Sequence, residues 1–176
     1  DYESQDQEPP FGTPSGKIEL YSERLEENGF APVPSYEETA EPPEGYFRLL
    51  YGRSPVHSFS RTQDNPWLSE IDPENKVWIN AQVADKLGLR DGKAVILENQ
   101  DGVRSNPIKV KKTERIRRDC VYMVHGFGHD TPQMKNQHAK GASDIKLQSD
   151  YALDPISGSA GMSVNFVKIA EEGGSS

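Results

Sequence analysis

Short runs of apolar or alternating residues, bounded by Gly, Pro, Asn and Asp, recur along the chain after residue 46. Runs of this kind are typical of β-strands. The predicted strands are Phe47–Tyr51, Val77–Ile79, Ala94–Glu98, Val103–Val110, Val121–Val124 and Val164–Ile169. The Asp101-Gly102 pair between the third and fourth strands is typical of a hairpin turn. The pattern therefore predicts a mainly β domain.

One short helix interrupts this pattern. Asn80 is suited to cap a helix over Ala81–Leu87, with Val83 and Ala84 on the apolar face together with Leu87, and Gly88 ends it. About six strands with one helix favour a small barrel, and a sandwich of two sheets is the alternative. The pattern alone leaves both open.

The first 45 residues have a different character. Asp1–Pro10 is acidic and lacks apolar residues other than Tyr2, so we expect it to be mobile. Ile18–Tyr21 is predicted as a short strand, and Ser22 as the cap of a helical turn that ends at Gly29. Ala31–Gly45 is rich in proline and glutamate, which favours an extended linker. We expect a leader over 1–45, a barrel over 46–170 and a tail over 171–176.

Composition narrows the functional classes. The 176 residues are enough for one domain, but the hydrophobic fraction of 34% and the mean hydropathy of −0.78 are low for a free-standing enzyme. We therefore expect a domain of a longer protein. A net charge of −8 disfavours nucleic acid as a partner. The single cysteine, Cys120, excludes an internal disulfide and is predicted to be a buried, inert thiol.

Tyr51–Glu70 is the most polar loop-like stretch of the compact region. It follows a predicted strand and is interrupted by Gly52, Pro55 and Pro66, so it is predicted to be neither helix nor strand. Its two arginines, one histidine and several hydroxyls suit a ligand that carries phosphates and heterocyclic edges. A solvated surface turn explains the same composition equally well.

Other constellations give weaker signals. His125 and His129 are four apart, but the glycines between them disfavour the helix that a metal pair at this spacing needs. These glycines instead permit a close backbone approach, or form an ordinary tight turn. Ser157 is not in a G-x-S-x-G elbow, and no paired carboxylates lie in an apolar frame. Hydrolase and glycosidase chemistry therefore has no support.

Several motifs, taken together, resemble the C-terminal cofactor-binding domain of the molybdopterin oxidoreductases, the dimethyl sulfoxide reductase family. The run RTQDNPWLSE, residues 61–70, is similar to thiosulfate and polysulfide reductase catalytic subunits. Thr13–Glu38, Val121–His129 and Asp154–Ile169 resemble the family's leader, second cofactor loop and closing segment. The resemblance implies a six-stranded double-psi β-barrel with one or two short helices.

The resemblance also implies a ligand and its contacts. In the family this domain forms one wall of a cleft that holds two molybdopterin guanine dinucleotides (bis-MGD) with molybdenum. The residues it assigns to cofactor binding are Gly52, Arg53, Ser54, His57, Ser58, Arg61, Thr62, His125, Gly126, Phe127, Gly128, Ser143 and Asp144. Gly52 would admit the ligand closely, Arg53 would bind phosphate or pterin, and the hydroxyls would donate. Asp144 stands where many members carry Asn and would accept from pterin or guanine. We expect the three loops to converge on one face.

The family's molybdenum ligand and iron–sulfur cysteines lie in earlier domains. We therefore expect this chain to contain no catalytic residue or metal ligand and to be inactive alone. The implied parent reduces thiosulfate or polysulfide; arsenate, tetrathionate, nitrate or formate enzymes of the same family are alternatives. A non-catalytic β-barrel that binds protein is a further alternative. The implied partners are the other domains, an iron–sulfur electron-transfer subunit and a membrane anchor subunit, on the periplasmic side of the membrane.

Overall fold

The computed structural model describes residues 11–161 and 163–170. The chain divides into two compact units, residues 1–39 and 40–176, and each is described by itself. The predictions for Asp1–Pro10 and for the tail 171–176 lie outside the described residues. Among the residues that are described, no helix has the length and apolar character needed to cross a membrane.

Within its described residues, 11–39, the first unit contains one short helix, α1, Glu23–Glu27. Its predicted cap is confirmed, because the Ser22 side chain accepts a hydrogen bond from Leu25 N at 3.3 Å. The predicted strand Ile18–Tyr21 is wrong. Its backbone bends at Leu20 and Tyr21, and Leu20 is 82% exposed, so neither a ladder partner nor an apolar face holds it extended.

The second unit is a closed barrel of six strands. They are β1 Phe47–Gly52, β2 Lys76–Asn80, β3 Ala94–Asn99, β4 Ile108–Thr113, β5 Cys120–Val124 and β8 Phe166–Ala170. Around the barrel the order is β1-β5-β2-β4-β3-β8. The pairs β1·β5 and β2·β4 are parallel and the other four are antiparallel. The predicted barrel is confirmed, and the sandwich is excluded. Two further strands, β6 Ala152–Leu153 and β7 Ala160–Gly161, form a separate pair.

Alternate residues of the strands fill the barrel interior. The fully buried side chains include Leu49, Val77, Ile79, Val95, Leu97, Val110, Val121, Met123 and Val167. Each such burial stabilises the fold by about 1.5–3 kcal/mol before entropy is counted. Cys120 is buried as predicted, and its burial raises the pKa of the thiol. The core therefore holds the strand ends in fixed positions.

The fourth strand begins later than predicted. It starts at Ile108 instead of Val103, and before it only Glu98 and Arg104 pair, in an isolated bridge. Pro107 explains the difference, because proline has no N–H to donate to a ladder. The turn itself forms as predicted, and the Asn99 side chain accepts hydrogen bonds from Asp101 N and Val103 N.

Among its described residues the barrel unit contains two α-helices, which agrees with the one or two short helices implied for the barrel. α2, Pro66–Ile71, was missed because its stretch was predicted to be loop. Asn65 caps it, accepting from Trp67 N at 3.1 Å, and Pro66 opens the first turn; this Asn-Pro signal was present in the sequence. α3, Ala81–Lys86, has the predicted Asn80 cap.

The apolar face predicted for α3 is only partly correct. Ala84 is fully buried and Val83 packs against the core, but Leu87 is 50% exposed. Leu89 is buried instead, at 5% exposure, and its N–H bonds to Ala84 O at 2.8 Å. The chain leaves the helix at Leu87, so the helical spacing no longer applies there.

Candidate functional site

Two of the predicted loops leave the barrel at the same end. β1 and β5 are parallel, with Gly52 opposite Val124, so both strands finish there. His125 N donates to Gly52 O at 2.8 Å, which ties the first residues beyond β5 to the end of β1. We call this the loop end of the barrel. The first loop, Gly52–Gln63, and the second loop, His125–His129, both start from it.

The second loop packs directly on the first through a glycine. Gly126 has a φ of +94°, and a Cβ there would lie 2.9 Å from Ser60 N and 3.1 Å from Gln63 Nε2. The buried Phe127 ring then meets the edge of the His57 ring, with 5.7 Å between ring centroids. Only glycine permits this approach.

A third segment, Ala142–Asp144, lies against the second loop. Gly128 has a φ of +76°, and a Cβ there would lie 2.2 Å from Ser143 N. Asn75, just before β2, donates from Nδ2 to Val124 O and to Ala142 O, both at 2.8 Å, and accepts from Ala142 N at 2.9 Å. The three predicted loops therefore meet at the loop end. Asn75 was missed, since a single Asn before a strand carries no distinctive signal.

Several predicted donors are used inside the first loop. Ser54 donates to Asp72 Oδ2 at 2.6 Å, and His57 Nε2 lies 2.9 Å from Asp72 O. Thr62 Oγ1 accepts from Ser58 N at 2.9 Å. Ser54 and His57 are buried, so in this structure they shape the loop instead of facing solvent. Their direct contact with a ligand stays a prediction, and it would require these bonds to break.

The lack of a side chain at Gly52 makes room for Tyr122 within the fold. A Cβ at Gly52 would lie 2.8 Å from the Tyr122 hydroxyl oxygen and 3.0 Å from its ring. The predicted role, close approach to a ligand, stays a prediction. The observed requirement for glycine comes from the phenol of β5.

A cavity of about 290 Å³ opens at the loop end, lined by Tyr51, Gly52, Arg53, Phe59 and His125. The Arg53 guanidinium lies 4.8 Å from the Phe59 ring centroid, and Phe59 meets the His125 ring edge-to-face at 5.3 Å. Phe59 has a φ of +53°, which is strained for this residue and typical of functional sites. No sequence signal marks Phe59.

A larger cavity, about 710 Å³, lies within the first unit, between Gly12 and Arg24. None of its lining residues is a predicted site residue. The smaller cavity carries the candidate chemistry, because an arginine and a histidine line it.

A buried carboxylate orients His125. Asp144 is fully buried, and its Oδ2 lies 2.8 Å from His125 Nδ1 and accepts from Gln148 Nε2 at 2.9 Å. Its Oδ1 accepts a long 3.4 Å bond from Gly126 N. Burial, and then the charge of Asp144, raise the pKa of the Tyr51 phenol. The predicted contact of Asp144 with pterin or guanine stays a prediction, since here its oxygens bind the chain.

The exposed predicted donors are Arg53, Ser58 and Arg61. Ser143 is half-buried, and its main-chain nitrogen faces Gly128. Gln63 is fully buried; its Oε1 lies 3.1 Å from His129 Nε2, while its Nε2 has no hydrogen-bond partner among the described residues. Arg53 and Arg61 are thus exposed cations that the first loop can present to an anionic ligand.

Two further observations concern metal binding and the segment Asp154–Gly161. Within residues 11–161 and 163–170, no group of three or more His, Cys, Asp or Glu is arranged to hold a metal ion. The segment Asp154–Gly161, part of the predicted closing segment, turns back on itself: Asp154 Oδ1 accepts from Ile156 N and Ser157 N. No contact between described residues joins this segment to the loop end.

A closed barrel that gathers arginine, histidine and glycine-shaped loops at one end is a ligand-binding domain for an anionic, ring-bearing group. The family described as Molydopterin dinucleotide binding domain matches residues 47–165. The chain therefore belongs to this family, within the dimethyl sulfoxide reductase family.

Curated relatives agree with this assignment. The thiosulfate reductase molybdopterin-containing subunit PhsA of Salmonella typhimurium is 38% identical over 120 residues, 67% of this chain and 15% of that protein. YnfE of Escherichia coli, provisionally named a dimethyl sulfoxide reductase chain, is 35% identical over 139 residues, 69% of this chain and 17% of that protein. The chain thus spans about a sixth of the length of these relatives.

A solved structure shares the fold. The acetylene hydratase of Pelobacter acetylenicus superposes with a TM-score of 0.71 at 23% identity, over 90% of this chain and 24% of that one. The chain is the molybdopterin dinucleotide-binding domain of a molybdoenzyme.

Proposed function

We propose that this chain binds molybdopterin guanine dinucleotide as one wall of a bis-MGD cleft. The longer enzyme that contains it reduces thiosulfate or polysulfide. The observation that carries the proposal is the parallel β1·β5 pair, which brings Arg53, Phe59 and His125 around one cavity. Identity of 38% to a thiosulfate reductase subunit supports the substrate class.

The residues at the loop end fit part of such a ligand. A cavity of about 290 Å³ is near the lower limit of small-molecule sites, so it suits a phosphate or one ring and not a whole dinucleotide. This is what one wall of a shared cleft requires. Arg53 and Arg61 supply charge for phosphate oxygens, and the Phe59 ring supplies a flat apolar surface.

The chain's own residues bind and orient the cofactor. Arg53 is held over Phe59, so part of its conformational entropy is lost before binding and its donors are positioned toward the cavity. Gly126 and Gly128 fix the second loop against the first loop and the third segment. When bound, the molybdenum–pterin group supplies the redox chemistry.

The partners follow from the short span of the chain. It spans 15% of a relative named as a molybdopterin-containing subunit. We propose that the remaining domains of the same catalytic subunit complete the cleft and carry the molybdenum ligand and an iron–sulfur cluster. An iron–sulfur electron-transfer subunit and a membrane anchor subunit complete the assembly, on the periplasmic side.

A second candidate function is a non-catalytic module that binds protein. The observation in its favour is the pair Trp67 and Ile71, one helical turn apart on α2 and 75% and 69% exposed. In our account another domain of the longer enzyme covers this pair. Arsenate, tetrathionate, nitrate or formate as substrate requires no change at the loop end.

Arg53→Ala in the longer enzyme tests the proposal. Loss of a charge-assisted contact to a bound anion costs about 1.5–3 kcal/mol, or roughly 10- to 150-fold in cofactor affinity. We expect reduced molybdenum content per chain with an unchanged melting temperature. Arg118→Ala is the control, since this exposed arginine precedes β5 and so lies at the opposite end of the barrel. Full molybdenum content with a lowered melting temperature would contradict the proposal.

A further inference from the structure

We propose that His125 is a proton-coupled contact: an anion binds in the loop-end cavity together with one proton, which His125 takes up. Asp144 acts as the positioning residue that fixes the His125 ring for this purpose. The inference rests on the proposed function, because it concerns how the same cavity receives the phosphate-bearing part of the cofactor.

The geometry assigns the two ring nitrogens of His125 different roles. A carboxylate only accepts hydrogen bonds, so at 2.8 Å from Asp144 Oδ2 the Nδ1 atom carries a hydrogen. Nε2 has no hydrogen-bond partner among the described residues, and the ring lines the cavity. Nε2 is therefore the atom with which the ring meets a ligand.

Burial and hydrogen bonds hold the Asp144 side chain in place, so it keeps the His125 ring in this orientation. Its carboxylate also accepts from Gln148 and from Gly126 N, and its side chain is 1% exposed. The neutral His125 ring then presents a lone pair on Nε2, which disfavours an approaching anion. The protonated ring presents an N–H instead, which binds an anion by a charge-assisted hydrogen bond.

The charged and titratable neighbours of His125 are few among the described residues. Among the described residues, the charged or titratable groups that face it are Asp144, Tyr51 and Arg53. The raised pKa of Tyr51 keeps this phenol neutral near pH 7, and arginine stays charged. His57 does not face the cavity: it is 4% exposed, and its Nε2 lies 2.9 Å from Asp72 O.

The direction of the pH dependence follows from these charges. The bound anion favours the protonated ring, so binding takes up a proton. Affinity is then greatest at low pH and falls as the pH rises, because the bound state needs the proton that a rising pH removes. One proton taken up corresponds to at most a tenfold change in affinity per pH unit.

The experiment uses the whole chain and diguanosine pyrophosphate, whose phosphodiester charges stay constant over this range. Calorimetric titrations between about pH 6 and pH 8.5, at fixed ionic strength and in two buffers of different ionisation enthalpy, count the protons taken up. We expect proton uptake on binding, up to one proton per ligand, and an affinity that falls with rising pH by up to about tenfold per pH unit.

Two variants test whether His125 is the residue that takes up the proton. In His125→Gln we expect proton uptake to vanish and the residual affinity to be independent of pH. In Asp144→Asn, which keeps the buried shape, we expect reduced uptake although His125 is present. A merely structural Asp144 would lower affinity equally at every pH and leave the proton count unchanged.

The outcomes separate this inference from the proposed function. Binding of the probe with no proton uptake in the unaltered chain overturns the role of His125 and leaves the proposed function standing. Uptake that persists in His125→Gln also overturns it. No binding at any pH overturns the proposed function, and the present inference with it.

Discussion

Replacing Gly128 by alanine tests whether the close approach of two segments builds the loop end. Gly128 has a φ of +76°, and a Cβ there would lie 2.2 Å from Ser143 N and 2.5 Å from Ala142 C. Both are backbone atoms, so no side-chain rotation relieves the contact. Gly92 provides a matched control: its φ is +78°, and nothing lies within 4 Å of its Cβ position.

Both substitutions place an alanine in a left-handed backbone conformation, and only Gly128→Ala also creates a steric clash. A left-handed backbone conformation costs an alanine about 1–2 kcal/mol, and the stiffer unfolded chain returns about 0.4–1 kcal/mol. Gly92→Ala should therefore lower the free energy of unfolding by roughly 1 kcal/mol or less. Gly128→Ala adds the displacement of the Ala142–Ser143 backbone, for which overpacking costs about 1–3 kcal/mol.

Urea denaturation followed by tryptophan fluorescence measures both free energies of unfolding. We expect Gly128→Ala to be less stable than Gly92→Ala by about 1–3 kcal/mol. We also expect it to weaken binding of diguanosine pyrophosphate, because Asp144 moves with Ser143. Equal loss of stability in both variants, with unchanged binding, would refute the packing of the third segment on the second loop.

Three further results are expected. Burial raises the pKa of the Cys120 thiol, so iodoacetamide should modify the native chain slowly near pH 8 and the unfolded chain rapidly; rapid native modification would contradict its burial. The hydrogen bond from Lys168 lowers the pKa of Glu98, so this pair stabilises the fold above the ordinary value of 4.5, and the effect is lost as pH falls below it. Glu98→Gln should therefore reduce the loss of stability in acid, as denaturant midpoints would show. Limited proteolysis should cut first within 31–45 and leave 46–169 intact, whereas early cuts within 94–110 would contradict a closed core.

The strands of the barrel were predictable because apolar side chains mark them locally. Five predicted strands agree with the structure to within two residues at either end. The sixth predicted strand begins too early, because the observed strand starts only after Pro107. The sequence does indicate this, since proline interrupts a β-ladder. Closure into a barrel depends on parallel pairing between distant strands, and no local pattern encodes that pairing.

The site was less predictable than the fold. A serine that binds solvent and one that bonds to Asp72 look alike in a sequence, so Ser54 and His57 were predicted to face a ligand. Asn75 joins a segment 67 residues away, a distance over which no sequence spacing is informative. Phe59 contributes through a strained backbone and two ring contacts that arise only from the fold.

The central claim is that the loop end of the barrel binds one part of the dinucleotide, a phosphate or a ring. Amide chemical-shift mapping of the whole chain during titration with diguanosine pyrophosphate tests it most directly. We predict that the largest saturable changes lie at Arg53, Phe59, His125 and Gly126, with none around Arg118, which precedes β5 at the opposite end of the barrel. Changes confined to that opposite end, or the absence of any saturable change, would contradict the account.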